Sequence, residues 1–172
     1  MERWDLYDEN RTPLGRTAFR GETLNEGEYH LVAVIWTADK DGKILLTKRS
    51  PEKPYFPNEW ENSGGAVLAG ETSPNAAHRE LFEETGLRAG KNGMILLGSC
   101  KEDHYFVDTY LALLDEAAPK VTFQPGETVD ARWVTLPELD RIVSENGIIA
   151  PAIRQLAPLR ERLEKEIRNA GK

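Results

Sequence analysis

The sequence has little cysteine and histidine and no long apolar stretch. Cys100 is the single cysteine among 172 residues, and there are three histidines, so we expect neither a disulfide framework nor a cysteine-based metal site. No apolar run approaches the length that spans a bilayer, and the first residues lack the features of a secretion signal. We therefore expect a cytoplasmic protein that does not enter a membrane, with Cys100 as a buried structural thiol.

Basic residues are also fewer than acidic ones. The chain has 22 lysines and arginines against 29 aspartates and glutamates, which gives a formal net charge of −7. This charge argues against binding to a nucleic-acid polymer, whereas a small anionic substrate needs only a local basic cluster or a bound metal. The length and an apolar share of 40% suit one globular domain over residues 1–172.

Predicted strands and helices alternate along the chain. Runs rich in branched and aromatic residues predict strands at 4–7, 29–37, 43–48, 94–101, 104–114 and 131–135. Helices are predicted from Ser73, as the capping residue before a proline, to Thr85, then at 136–145 and within the C-terminal segment 150–172. Residues 1–28 form an N-terminal strand and extension, and 49–59 a proline-rich loop. This order favours an α/β fold, an α/β/α sandwich with a mixed β-sheet.

One predicted helix carries three carboxylates on the same face. Glu80, Glu83 and Glu84 are spaced i, i+3 and i+4, so their like charges repel unless a cation lies between them. Oxygen ligands favour Mg²⁺, with Mn²⁺ as the alternative. An isolated acidic helix face would be interpreted as solvent-exposed surface. Here, however, Arg79 precedes the carboxylates, and Glu71 lies just before the helix as a partner for it.

The segment from Gly65 to Leu87 resembles the signature of the Nudix family. That signature is a glycine, five residues, a glutamate, seven residues, and then Arg-Glu-apolar-any-Glu-Glu-any-Gly-apolar. This chain fills every fixed position, namely Gly65, Glu71, Arg79, Glu80, Leu81, Glu83, Glu84, Gly86 and Leu87. The resemblance implies the Nudix fold and Mg²⁺-dependent hydrolysis of a diphosphate linkage, in a nucleoside diphosphate derivative or another small organic diphosphate.

The resemblance also implies roles within this segment. The three helix glutamates would hold the metal together with the carbonyl of Gly65, while Arg79 and Glu71 would pair to orient the loop and the helix. Glu80 is the first candidate for the general base that takes the proton from the attacking water. Family members differ in this residue, so Glu127 in a late loop and Asp108 in a predicted strand are alternatives. Each of those two is equally interpreted as an ordinary loop or edge acid.

A second resemblance covers the residues before the signature. The words YHLVAVIW, ILLTKRS and PNEWENS, with WDLYDENRTPLG at the start, are similar to isopentenyl diphosphate isomerases and the Nudix hydrolases akin to them. That likeness implies that Arg49 and Lys53 bind the substrate's diphosphate, which suits a forked and a point-charge donor. The alternative interpretation is a pair of solvated loop charges.

The isomerase chemistry itself is disfavoured. Those enzymes use a cysteine just before the signature glycine, where this chain has Gly64, and several histidines, of which only His30 is matched. His30 is better interpreted as an ordinary strand residue. An isomerase-like enzyme and a non-catalytic nucleotide-binding module remain the alternatives to a hydrolase. Homodimers are common in the family, so a homodimer is an open expectation.

Two apolar features have a structural and a functional interpretation each. Trp60 would either belong to the core or stack on a substrate. The C-terminal stripe of Ile153, Leu156, Leu159 and Leu163 is expected to pack on the sheet rather than against another subunit.

Overall fold

The structure is a computed structural model that describes residues 1–145 and 147–171. At the N-terminus, β1 (Arg3–Tyr7) pairs antiparallel with β2 (Pro13–Phe19) in a separate two-stranded sheet. The sequence predicted β1 but treated β2 as part of a polar extension, which was wrong. Only Ala18 of β2 is buried, so no alternation of apolar residues marks this strand.

Among the described residues, the main sheet contains seven strands. They are β3 (His30–Ala38), β4 (Ile44–Arg49), β5 (Trp60–Glu61), β6 (Ser63–Ala66), β7 (Met94–Lys101), β8 (Tyr105–Leu113) and β9 (Thr128–Val134). Strands β3 and β8 run parallel and the other pairs antiparallel, which confirms the predicted mixed sheet. The sequence missed β5 and β6, because strands this short contain too few residues to show a period.

In the part of the chain that the structure describes, four helices and one 3₁₀ turn cover the sheet: α1 (Ser73–Thr85), α2 (Leu136–Ser144), α3 (Ala150–Leu156), the 3₁₀ turn (Ala157–Leu159) and α4 (Arg160–Ala170). The single C-terminal helix predicted within 150–172 was wrong. Pro158 has no amide hydrogen for a helical bond and restricts the residue before it, so the chain tightens into the 3₁₀ turn between α3 and α4. Lys172 lies outside the described residues.

Helix α1 stops where the sequence predicted but begins one residue earlier. Its N-cap is Thr72, which makes no side-chain capping bond, and Pro74 lies in the first turn, so the assignment of Ser73 as the cap was wrong. At the other end Gly86 has φ of 71°, and its amide donates to the carbonyl of Phe82 at 2.8 Å. A residue without a Cβ suits this left-handed conformation.

The two faces of β3 belong to different cores. Leu31, Ala33 and Ile35 pack with α1, whereas Trp36 and Ala38 pack with α2, α3 and α4. The sheet therefore lies between helices on both faces, as the α/β/α prediction required. The C-terminal stripe packs on this second face, as expected, with Leu156 and Leu163 buried and Ile153 and Leu159 partly buried.

The prediction for Cys100 was wrong. Its side chain is exposed, because β7 is an edge strand and the part of it that carries Cys100 is not covered by a helix core. Within residues 1–145 and 147–171, no helix has both the length and the apolar character needed to cross a membrane.

Candidate active site

Strand β6 brings two glycines against helix α1. A side chain at position 65 would collide with the carboxylate of Glu80, and one at position 64 would lie 2.8 Å from the carbonyl oxygen of Ala33. The backbone amide of Gly64 donates to Glu84 Oε2 at 3.3 Å. The glycines therefore allow two of the helix carboxylates to approach the backbone of β6 closely.

Arg79 joins the loop before α1 to the helix. Its Nε and Nη2 donate to the two carboxylate oxygens of Glu71 at 3.0 and 2.9 Å, and Nη2 also donates to the carbonyl of Ala66 at 3.0 Å. Burial opposes the ionisation of Glu71, but the hydrogen bonds from Arg79 and from the Leu68 amide outweigh it and lower the pKa of Glu71. The predicted pairing of Arg79 with Glu71 is thus present in the structure.

The remaining Arg79 nitrogen contacts two of the predicted metal ligands. Nη1 donates to Glu80 Oε1 at 2.6 Å and to Glu83 Oε2 at 3.1 Å. The second oxygen of each carboxylate takes no part in these contacts. Within the part of the chain that the structure describes, no three carboxylate, imidazole or thiol side chains converge on one point. The chemistry of the donor set nevertheless fits Mg²⁺, because one oxygen each of Glu80 and Glu83 makes no hydrogen bond to a described residue, and the partly buried backbone of Gly65 lies beside Glu80.

The electrostatics of the site are those of crowded carboxylates. Burial, followed by the charges of Glu61 and Glu80, raises the pKa of Glu84 to about 8. Burial also raises the pKa of Glu80, although Arg79 opposes this shift. Neither group has its charge fully offset by the side chains around it, and perturbed carboxylates of this kind are concentrated at functional sites.

The two predicted diphosphate ligands lie next to this cluster. Arg49 donates through Nη1 to Glu61 Oε2 at 2.7 Å and through Nε to the carbonyl of Tyr55 at 3.0 Å. Lys53 forms an ion pair with Glu127. Burial, and then the nearby charge of Arg49, lowers the pKa of Lys53. Each cation is thus held by a glutamate, and Glu127, a predicted general base, makes its contact with Lys53.

Asp108, the other alternative base, is occupied by a different partner. Arg11 donates to its two carboxylate oxygens at 2.7 and 2.5 Å, and the hydroxyl of Ser99 donates to it at 2.6 Å. Burial opposes ionisation, but these hydrogen bonds outweigh it and lower the pKa of Asp108. This side chain fastens the β1–β2 hairpin to β8, which favours the structural interpretation of Asp108.

His30 and Trp60 both make contacts typical of structural residues. The His30 ring stacks on Trp4 with the ring centroids 4.2 Å apart, and burial lowers its pKa. Trp60 is half-buried, packs against the core on the α2–α4 face, and carries the guanidinium of Arg132 4.1 Å from its ring centroid.

Sequence reasoning missed a cavity on the other face of β6. Its volume is about 290 Å³, and its walls include Val32, Val34, Tyr105, Ile149 and Gln155. It also missed Glu61, which lines the cavity and contacts Arg49. The strand that carries Glu61 has two residues, which is too short to show a periodic pattern in the sequence. The cavity has no local sequence signal, because its walls come from distant segments.

The comparisons with known proteins agree with this fold. The NUDIX domain model matches residues 28–156. An uncharacterised Nudix hydrolase of Listeria monocytogenes is 38% identical over 150 residues, which cover 87% of this chain and 89% of that protein. A prenyl-diphosphate phosphatase of Methanosarcina mazei is 30% identical over 139 residues, covering 79% of this chain and 82% of that protein. The chain therefore belongs to the Nudix family.

Two further similarities are narrower. The crystal structure of DR0079 from Deinococcus radiodurans has a TM-score of 0.74 and 24% identity, and the match covers 92% of this chain and 99% of that one. This agreement shows the fold alone. An isopentenyl-diphosphate Delta-isomerase of Pectobacterium atrosepticum is 34% identical over 54% of this chain and 51% of its own length, a weaker relation that agrees with the second sequence resemblance.

Proposed function

We propose that this protein hydrolyses a diphosphate linkage in a small organic diphosphate, with Mg²⁺ or Mn²⁺ as the cofactor. The observation that carries the proposal is the meeting of Glu80 and Glu84 with the backbone of Gly64 and Gly65, held in place by Arg79. The arrangement brings two carboxylates against the backbone of β6, on a loop and helix fixed by the Arg79 pairs, and carboxylate and carbonyl oxygens are the ligands that Mg²⁺ prefers. Membership of the Nudix family supports the same reaction.

The metal would be held by Glu80, Glu83 and Glu84 with the carbonyl of Gly65. When bound, it would neutralise the charge of the diphosphate oxygens and lower the pKa of a bound water. Arg79 would keep the ligand helix in register with the loop through its fork of contacts to Glu71. This positioning fixes the carboxylates before the substrate arrives.

The side chains around the metal site would divide the remaining work. Arg49 and Lys53 would exchange their glutamate partners for the diphosphate oxygens and hold the substrate. Glu80 would take a proton from the attacking water, whose oxygen forms a bond to one phosphorus. The bridging P–O bond then breaks, and its electron pair leaves with the other phosphate.

The substrate belongs to the nucleoside diphosphate derivatives or other small organic diphosphates. The similar phosphatase of Methanosarcina mazei is named for prenyl diphosphates, which keeps an isoprenoid diphosphate among the substrates to test. Isomerisation is disfavoured, because a Cβ at position 64 would meet the Ala33 carbonyl, so this backbone has no room for the cysteine that isomerases use there. The intact signature argues against a module that only binds.

The test is product analysis by mass spectrometry in ¹⁸O-labelled water. Purified protein would be incubated with Mg²⁺ and with nucleotide, sugar-nucleotide, dinucleotide, coenzyme and isoprenoid diphosphates. We expect cleavage of at least one class, with one ¹⁸O atom in one phosphate product and complete inhibition by EDTA. Absence of hydrolysis across the panel with both Mg²⁺ and Mn²⁺ would contradict the proposal.

A further inference from the structure

The cavity behind β6 is walled mainly by aliphatic side chains but contains two buried amides. Gln155, on α3, is 7% exposed, and Asn62, between β5 and β6, is 8% exposed. Both side chains line the cavity together with Val32, Val34 and Ile149. The amide atoms themselves are not sealed from solvent, so water in the cavity can bond to them until a ligand takes its place.

The protein satisfies little of the hydrogen-bonding capacity of these amides. Among the described residues, no hydrogen bond to the Gln155 side chain is present, and Asn62 makes a single long one, from Nδ2 to the carbonyl of Ser63 at 3.3 Å. Each amide group offers two donors and one acceptor oxygen. Most of these positions therefore have no partner among the described residues and remain open to water or to a ligand in the cavity.

The cavity adjoins the carboxylate site through strand β6. Ser63, Gly64 and Gly65 line the cavity, and the amide of Gly64 also donates to Glu84 on the α1 side. Glu61 also lines the cavity and accepts a hydrogen bond from Arg49, one of the proposed diphosphate ligands. A substrate whose diphosphate lies at the carboxylates can therefore place its organic group in this cavity.

We propose that Gln155 and Asn62 are specificity-determining residues that bind the hydrogen-bonding edge of an uncharged heterocyclic group on the substrate. The inference rests on the proposed diphosphate hydrolysis. Aliphatic walls suit the faces of a planar ring, and the two amides suit its polar edge. A volume of about 290 Å³ is at the small end for ligand sites, which fits a single ring system.

The same chemistry discriminates against a hydrocarbon chain. An isoprenoid group fills the apolar space but leaves both amides buried without partners, and a site with unpaired polar groups rejects such a ligand strongly. An anionic organic group would be disfavoured for a different reason, because among the described lining residues the charged side chain is the carboxylate of Glu61. The selectivity for the polar edge thus comes from side chains that are remote from the metal ligands in sequence.

The experiment compares two substrate classes in the wild type and in Gln155→Met, which keeps the length of the side chain and removes its polar atoms. The nucleoside diphosphates of adenine, guanine, cytosine and uracil represent the first class, and isopentenyl diphosphate represents the second. We expect kcat/KM for the preferred nucleoside diphosphate to fall about 10- to 100-fold. The value for isopentenyl diphosphate should change less than about twofold or rise.

The matched control is Arg154→Met, one residue away on α3, whose exposed side chain pairs with Glu102. Neither substrate class should respond to it. A merely structural role for Gln155 would lower both classes equally and would reduce the melting temperature, whereas we expect the melting temperature of Gln155→Met to be unchanged or raised. An equal loss on both classes, no loss on either, or a wild-type preference for isopentenyl diphosphate would overturn the proposal.

A binding measurement separates this proposal from the proposed reaction. The Kd values of the four nucleoside monophosphates would be measured by calorimetry for the wild type and Gln155→Met. Weaker binding to the variant by about tenfold or more would support the amide contacts even if no diphosphate were hydrolysed. Absence of binding to the wild type, or equal binding to the two proteins, would reject the amide contacts whatever the outcome for hydrolysis.

Discussion

The two faces of strand β6 carry different chemistry although only one layer of backbone separates them. On the α1 face, carboxylates and Arg79 are crowded together, and the pKa of Glu84 is raised to about 8. On the α3 face, the cavity holds neutral amides among aliphatic side chains. Changes on the first face should therefore affect every substrate alike, whereas changes on the second should alter the preference among substrates.

The largest expected effect would come from removing a charge on the carboxylate face. Glu84→Gln should lower kcat/KM by about 10²- to 10³-fold for every diphosphate that the protein hydrolyses. Without metal, its thermal unfolding temperature should not fall, because burial disfavours the charged form of Glu84 and glutamine carries no charge. Steady-state kinetics and calorimetry would test both parts, with the exposed Glu161→Gln on α4 as the control. Full activity in Glu84→Gln would contradict the proposed metal site.

A second substitution tests how much the ion pair between the N-terminal hairpin and β8 stabilises the fold. Arg11→Met leaves Asp108, which is 3% exposed, without its cation, and should lower the free energy of unfolding by about 2–3 kcal/mol. Urea denaturation at pH 7 would measure this difference. The matched substitution Arg168→Met, at an exposed pair on α4, should cost less than about 1 kcal/mol.

The same pair predicts a dependence on pH. The pKa of Asp108 is lowered in the folded protein, so its stabilising contribution is present above the pKa of the unfolded chain, near 4. It is lost as the pH falls through the lower folded value. The difference between the wild type and Arg11→Met should therefore shrink on acidification below about pH 4. A difference that stays constant down to pH 2 would show that Asp108 is not the cause.

A smaller effect is expected from changing the shape of the cation that joins the loop to α1. Arg79→Lys keeps the charge but cannot contact Glu71, Ala66, Glu80 and Glu83 together. We expect kcat to fall about 10- to 50-fold with a much smaller change in KM. Arg88→Lys, on the exposed segment after the helix, is the control. A change in Arg79→Lys below twofold would rule out the positioning role.

The smallest effect should come from Glu127→Gln. Since Glu127 is partly exposed and contacts Lys53, its substitution should raise KM by about 2- to 5-fold and leave kcat nearly unchanged. Pre-steady-state and steady-state kinetics on the same substrate would separate the two constants. A loss of 10²-fold or more in kcat would instead assign the general base to Glu127 rather than Glu80.

How well each region could be predicted from the sequence depends on how far apart its residues lie in the chain. The carboxylates of α1 were predictable because three glutamates at helical spacing share a face whatever the remainder of the fold does. Gly65 and the Arg79 pair with Glu71 lie in the same short segment. The strand and helix order also predicted the mixed sheet, since long alternating runs carry a strong periodic signal.

What the sequence did not predict depends on tertiary contacts. Asn62 and Gln155 line the same cavity although they lie far apart in the chain, one between β5 and β6 and the other on α3. Strands β2, β5 and β6 are defined by the partners they pair with rather than by their own composition. Pro158 lay within a periodic apolar stripe, and the stripe masked the break between α3 and α4.

The most direct test of the division between the two faces is the ratio of kcat/KM for a nucleoside diphosphate to that for isopentenyl diphosphate. It would be measured in the wild type, Glu84→Gln and Gln155→Met. We predict that Glu84→Gln lowers both values and leaves the ratio within about twofold, whereas Gln155→Met lowers the ratio at least about tenfold. A ratio that Glu84→Gln changes strongly, or that Gln155→Met leaves unchanged, would contradict the assignment of chemistry to one face of β6 and recognition to the other.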